Sequence, residues 1–316
     1  MLTEAQLFAL SPLIILSISA TLLMLLIAFH RHHDLNATFA VIGLNATLVC
    51  TILVWYWILQ NEPVAVTDLL LIDGYTSFFT ALMIVTVLAC CTMAHTYLKE
   101  FSGNKEEFYL LVLLSLIGAM VLVSSSHFAS LFVGLELLSV PLYGLVAYRR
   151  NRSRSLEAGI KYLVLSATGS ALLLLGMAFL YAQTGTLSLP ATGHQLASLG
   201  DHLPFMALAG LTLVLIALGF KLSLVPFHLW TPDVYEGAPP PAVAFLATVA
   251  KVAVAAVLLR LISWLPVIGS SALQNILMLL AGLSMLAGNL LALHQTNVKR
   301  LLAYSSISHF GYLLTG

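Results

Sequence analysis

Apolar residues along this chain come in long unbroken runs, with short polar breaks between them. The runs fall at 9–29, 38–59, 75–97, 109–125, 127–148, 157–182, 204–230, 241–263, 270–293 and 298–316. As a helix, about 20 apolar residues at roughly 1.5 Å each cross the hydrocarbon of a bilayer. Backbone groups in lipid must be satisfied within the segment, so the pattern predicts an all-α polytopic membrane bundle of ten transmembrane helices. The seventh run is interrupted. In GFKLSLVPFHLWTPD, Pro226 removes the hydrogen bond to the Leu222 carbonyl, so that helix is expected to break there. The tenth run is still apolar at Gly316, an ending that reads as a truncation.

Composition agrees. Apolar residues make up 60% of the 316 and charged residues 8%, with a mean hydropathy of +1.00. Soluble domains carry about 25% charged residues, so lipid is the main solvent here. Basic and acidic residues balance at 13 each, and no dense basic face exists, so nucleic acid is excluded as a partner. The N-terminus has no basic region and no small-residue cleavage site, so the first run is expected to be a retained helix. Cys50, Cys90 and Cys91 lie in apolar runs without CxxC spacing and read as small buried hydrophobes.

Basic residues sort by loop. Arg31, Lys99, Lys105, Arg149, Arg150, Arg152, Arg154, Lys299 and Arg300 fall in odd-numbered loops, and only Arg260 is assigned to an even-numbered one. The positive-inside rule then places the odd loops in the cytoplasm and the N-terminus on the periplasmic side. TPDVYEGAPPP, after the seventh run, is the exception: it carries Asp233 and Glu236 and no basic residue.

Three lysines remain, Lys161, Lys221 and Lys251, and all lie inside predicted helices. Glu136 is the one carboxylate well inside a span. Each such charge costs about 2.5–3.5 kcal/mol at the centre of a membrane helix. Four of them are best accommodated by facing the bundle interior and sharing water or partners. The bland readings are that Lys161 snorkels to the interface and that Lys221 and Lys251 pair structurally with Glu136. The functional reading is a proton relay. Burial favours the neutral form of a lysine, a neighbouring carboxylate favours the charged one, and a lysine between the two exchanges its proton as its surroundings change. The helix break supports that reading, because interrupted helices recur at transporter ion sites. His228, two residues past Pro226, and His309, in YSSISHFGY, are weaker candidates for the same path. HRHHD, with His30, His32 and His33, reads as a wet loop flank. No phosphate loop or paired haem-ligand spacing occurs, so no cofactor or metal is expected in this chain.

Four segments carry a resemblance: SLFVGLELLSVPLYGLVAY, SLEAGIKYLVLSATGS, GFKLSLVPFHLWTPDVYEGAP and QTNVKRLLAYSSISHFGYLL. They resemble the antiporter-like membrane subunits of respiratory complex I (NADH-quinone oxidoreductase), and GIKY favours the subunit N branch over its paralogues and over the related cation/proton antiporters. The resemblance runs the whole length of the chain. It implies a fourteen-helix fold with inverted five-helix repeats at helices 4–8 and 9–13, of which helices 7 and 12 are broken. On that basis the chain is one membrane domain: 1–100 peripheral, 109–263 the first repeat, and 270–316 the start of an incomplete second one. The resemblance implies proton transfer by Glu136, Lys161, Lys221 and Lys251. FMN, iron–sulfur clusters and quinone are implied in other subunits, and the membrane and peripheral subunits of a complex in the bacterial inner membrane are implied as partners. Two rival readings stand beside it: an autonomous cation/proton antiporter, and a structural subunit whose buried charges only fix packing.

Overall fold

The computed structural model describes residues 3–100, 103–199, 203–265 and 271–315, without the side chains of 271–273. Its helices are α1 (Glu4–Phe29), α2 (His33–Ile58), α3 (Gly74–Lys99), α4 (Glu107–Ser124), α5 (Phe128–Val146), α6 (Ser153–Thr184), α7 (Leu189–Ser198), α8 (Phe205–Leu222), α9 (Trp230–Gly237), α10 (Pro240–Phe245), α11 (Lys251–Trp264), α12 (Ser271–Leu293) and α13 (Val298–Leu313). A π-turn, Leu246–Ala250, joins α10 and α11 into one span, Pro240–Trp264. Among the described residues, nine helices are long and apolar enough to cross a membrane, and they match the first nine predicted segments. The tenth segment contains α13, at 16 residues.

Two compact units make up the chain: Met1–Tyr148 with Pro239–Ala253, and Arg149–Ala238 with Val254–Gly316. In the first, α1 packs on α2 and α4, and α4 on α5. Thr3 and Gln6 cap α1 reciprocally, each accepting from the other's backbone N–H. The α4–α5 crossing is close because Gly118 has no Cβ: one built there would lie 2.2 Å from the Leu138 nitrogen. Periodicity did not reveal the short hairpin of β1 (Val64–Val66) and β2 (Leu70–Ile72), which pairs Val64 with Ile72. It buries Val66 and Ile72 with Ala9, Val54 and Ile58. The Ser130 hydroxyl donates to the Leu69 carbonyl at 2.6 Å and ties the hairpin to α5.

In the second unit, α6 packs on α8 and α9, and α13 on α12 and α9. The short helix α7 was likewise not foreseen. Pro190 starts it, where a missing N–H costs nothing, and it packs on α6. Arg260 departs from its expected place in an even-numbered loop. It does not sit in a loop but is buried in α11, its guanidinium 5.1 Å from the centre of the Trp264 ring. The planar cation stacks on an aromatic face, which offsets part of its desolvation. Cys90 and Cys91 are buried and free, as small hydrophobes should be. Exposed apolar side chains such as Ile42, Leu53, Leu163 and Leu286 coat the outer helix faces, as lipid requires.

Candidate functional site

The first unit holds Glu136 and Lys251. Glu136 lies mid-way along α5 and is half-buried. Lys251 opens α11 directly after the π-turn. It is 1% exposed and ranks among the largest fully buried side chains of the chain. A π-turn inserts one residue into the helical ladder and recurs at functional sites. Nothing in the apolar pattern marked it. α10 packs on α5, the helix that carries Glu136.

The second unit holds the broken helix. α8 stops at Leu222, α9 starts at Trp230, and the turn between them is centred on Pro226, as its position predicted. Ser223 ends α8 in the left-handed region at φ 65°. Its N–H donates to the Phe220 carbonyl at 3.0 Å, and the Leu224 N–H donates to the Gly219 carbonyl at 2.9 Å. This is the pair of bonds that closes a helix in a Schellman motif. Serine there, where glycine is usual, costs about 1–2 kcal/mol of backbone strain. Polar groups in the break find side-chain partners. The Val225 N–H donates to Ser284 Oγ at 3.0 Å, the Trp230 indole N–H to the Phe220 carbonyl at 3.1 Å, and Thr231 Oγ1 to Ser223 Oγ at 2.7 Å. Ser284, Trp230 and Thr231 were missed from sequence, because their role appears only once the helix has broken. His228 lies in the break, is 8% exposed, and has a buried Nδ1 with no hydrogen-bond partner.

Lys221 sits one turn before the break, 8% exposed. Its Nζ donates to Ser166 Oγ at 2.6 Å, and Ser166 is fully buried on α6. The two helices meet closely where glycine faces glycine: a Cβ on Gly176 would lie 2.8 Å from the Gly210 carbonyl oxygen. That contact brings Ser166 within reach of Lys221.

Lys161 stands on the outer part of α6, with its side chain 41% exposed. It is neither free nor simply snorkelling. Its Nζ meets Glu157 Oε1 at 2.7 Å and Asp233 Oδ2 at 2.9 Å. From there the charges alternate. Arg300 bonds Asp233 Oδ1 at 2.8 Å and Glu236 Oε2 at 3.0 Å, and Arg154 reaches Glu236 Oε1 at 3.4 Å. Lys299 donates to the carbonyls of Glu236 and Ala238 at 3.2 and 2.7 Å, satisfying the C-terminal end of α9. Burial pushes the Asp233 carboxyl up, but the hydrogen bonds from Lys161 and Arg300 outweigh it and hold it below the ordinary carboxylate range. A polar cavity of about 230 Å³ opens beside this seam, lined by Arg154, Glu157, Lys161, Asp233 and Glu236. The loop carboxylates that broke the charge pattern of the loops are therefore members of an ion-pair network. Their signal was available: Glu157 and Lys161 stand at i,i+4, and Asp233 and Glu236 at i,i+3, each pair on one helical face. His309 is exposed on α13, its ring 6.3 Å from that of Tyr312.

Known proteins share this fold. The transmembrane family described as NADH:quinone oxidoreductase/Mrp antiporter matches residues 125–316. A chain of respiratory complex I from Thermus thermophilus is 36% identical with a TM-score of 0.80, over 96% of this chain and 63% of that one. A chain of the membrane-bound sulfane sulfur reductase, an archaeal respiratory membrane complex, is 26% identical with a TM-score of 0.84, over 98% and 64%. A chain of the Mrp complex from Dietzia sp. DQ12-45-1b shares the fold, at 22% identity and a TM-score of 0.82, over 99% of this chain and 58% of that one. The chain thus spans about three fifths of the length of each. With the helix broken at Pro226 and the match across residues 125–316, the chain belongs to the NADH:quinone oxidoreductase/Mrp antiporter family of antiporter-like membrane subunits.

Proposed function

We propose that this chain is a proton-translocating membrane subunit of the subunit N type in a bacterial NADH:quinone oxidoreductase. The observation that carries the reading is Lys221: a buried lysine, one turn before a helix break, hydrogen-bonded to a buried serine. Arginine could not replace it in a relay, since it keeps its proton. Protons pass along Glu136, Lys161, Lys221 and Lys251, with His228 at the break and His309 as the weaker extension. NADH, FMN, the iron–sulfur clusters and quinone are handled by other membrane and peripheral subunits, and this chain supplies only ionisable side chains in a low-dielectric interior. Residues 109–263 form the first five-helix repeat and 270–316 begin the second. The membrane is the bacterial inner membrane, with the N-terminus in the periplasm. The 36% identity to a complex I chain supports this assignment.

The family also includes antiporter subunits, so a cation/proton antiporter is the second reading. Purification from native membranes separates the two, since a complex I subunit travels with redox subunits and an antiporter does not. Within the complex, Lys221→Met tests the relay. Methionine fills the lysine's volume without its charge and leaves one serine hydroxyl short of a donor, a cost of about 1 kcal/mol. Assembly should survive and NADH-driven vesicle acidification should collapse. Wild-type acidification per quinone reduced would end the proposal.

A further inference from the structure

One cluster of metal-ligating side chains lies apart from the charged residues discussed so far. His33 and Asp34 open α2, and His95 lies near the end of α3, which packs beside it. One ligand atom from each lies within 4.8 Å of the others. The two imidazoles are nearly parallel, 5.0 Å between centres and 8° between planes. His95 Nε2 is 2.8 Å from Asp34 Oδ1. His33 Nε2 is 3.2 Å from the backbone oxygen of His95. A carbonyl only accepts, so this bond places the proton on Nε2 and leaves a lone pair on Nδ1. That Nδ1 is buried and has no hydrogen-bond partner.

We propose that His33, Asp34 and His95 form a binding site for a divalent transition-metal ion of the zinc class, with water completing the shell. Metal-bound histidines are oriented in the same way, the second ring N–H donating to a carbonyl or carboxylate. Two imidazoles and one carboxylate suit zinc, cobalt or nickel and are a poor set for calcium or magnesium, which take oxygen ligands. Ligand atoms bound at about 2.0–2.2 Å sit roughly 3.3–3.6 Å apart in a tetrahedral shell, so the widest separation in the trio, up to 4.8 Å, must close while the 2.8 Å contact between His95 and Asp34 opens. The metal would take the place of the His95–Asp34 hydrogen bond. It would also release Lys99, whose Nζ lies 3.9 Å from Asp34 Oδ1 in an exposed pair. Such pairs contribute about 0–1 kcal/mol, so the competition is weak. A bound ion would clasp α2 to α3.

The test uses the purified full chain in detergent, with Co²⁺ as an optical probe and Zn²⁺ as competitor. One Co²⁺ per chain should bind with the visible absorption of a four- or five-coordinate site, and Zn²⁺ should displace it. His33→Ala and His95→Ala should each weaken binding about tenfold or more, whereas His309→Ala should leave it unchanged. Zn²⁺ should raise the melting temperature of the wild type and not that of His95→Ala. Asp34→Asn serves as the gentler variant if an alanine variant fails to fold, and it too should weaken binding. Absence of stoichiometric Co²⁺ binding to the wild type overturns the site. So does wild-type affinity in Asp34→Asn or in both histidine variants, which would place the ion at His30 and His32.

Discussion

Removing Arg300 should be the most damaging single change in the seam on α9. Its guanidinium lies between Asp233 Oδ1 at 2.8 Å and Glu236 Oε2 at 3.0 Å. In Arg300→Gln both carboxylates lose that partner, and among the described residues the ion-pair partner left to Glu236 is Arg154, at 3.4 Å and with its side chain 80% exposed. Asp233→Asn is milder. Lys161 still has Glu157 at 2.7 Å, and Arg300 still has Glu236. Side chains of Asp233 and Arg300 are 37% and 29% exposed, so each pair should be discounted from the buried range towards about 1 kcal/mol. On that footing Asp233→Asn costs about 1–2 kcal/mol and Arg300→Gln about 2–3 kcal/mol, the excess coming from carboxylate repulsion. Loss of about 1 kcal/mol shifts the melting temperature of a chain this large by roughly 2 °C. A double-mutant cycle read by thermal unfolding in detergent should show the pair costing less than the sum of the singles, by about 1 kcal/mol or roughly 2 °C. Strictly additive shifts would refute the coupled seam, and with it the claim that Asp233 and Arg300 act on one another.

Acidity should act on the same group. Asp233 is held below the ordinary carboxylate range in the folded chain. Its contribution is therefore complete above about pH 4 and falls away as the pH drops through the lowered folded value. The melting-temperature gap between wild type and Asp233→Asn should narrow over that interval, and a gap that widens on acidification would contradict the sign. Gly210→Ala should separate α6 from α8, because the added Cβ meets the Gly176 carbonyl oxygen at 2.9 Å; a cost of about 1–3 kcal/mol is expected, with reduced pumping as Ser166 withdraws from Lys221. Ser284→Ala should cost about 1–3 kcal/mol, since the Val225 N–H loses its acceptor at 3.0 Å; an unchanged melting temperature would mean that water replaces the hydroxyl.

The sequence alone determined the first nine spans, the break and the residues most in need of explanation. Each follows from a local cost. A backbone in lipid must close its own hydrogen bonds, a proline cannot, and a charge in an apolar run is expensive wherever its neighbours lie. Tertiary structure decided the partners. Lys161 meets Asp233, 72 residues away, and Lys221 meets Ser166, 55 residues away. Those distances depend on where α6 crosses α8 and α9, and the crossing depends on small residues whose meaning is invisible until two helices face each other, as Gly176 and Gly210 do. The π-turn before Lys251 and the trio of His33, Asp34 and His95 were hidden for the same reason. Hydropathy reports what a residue costs to bury, whereas geometry alone reports which group offsets that cost.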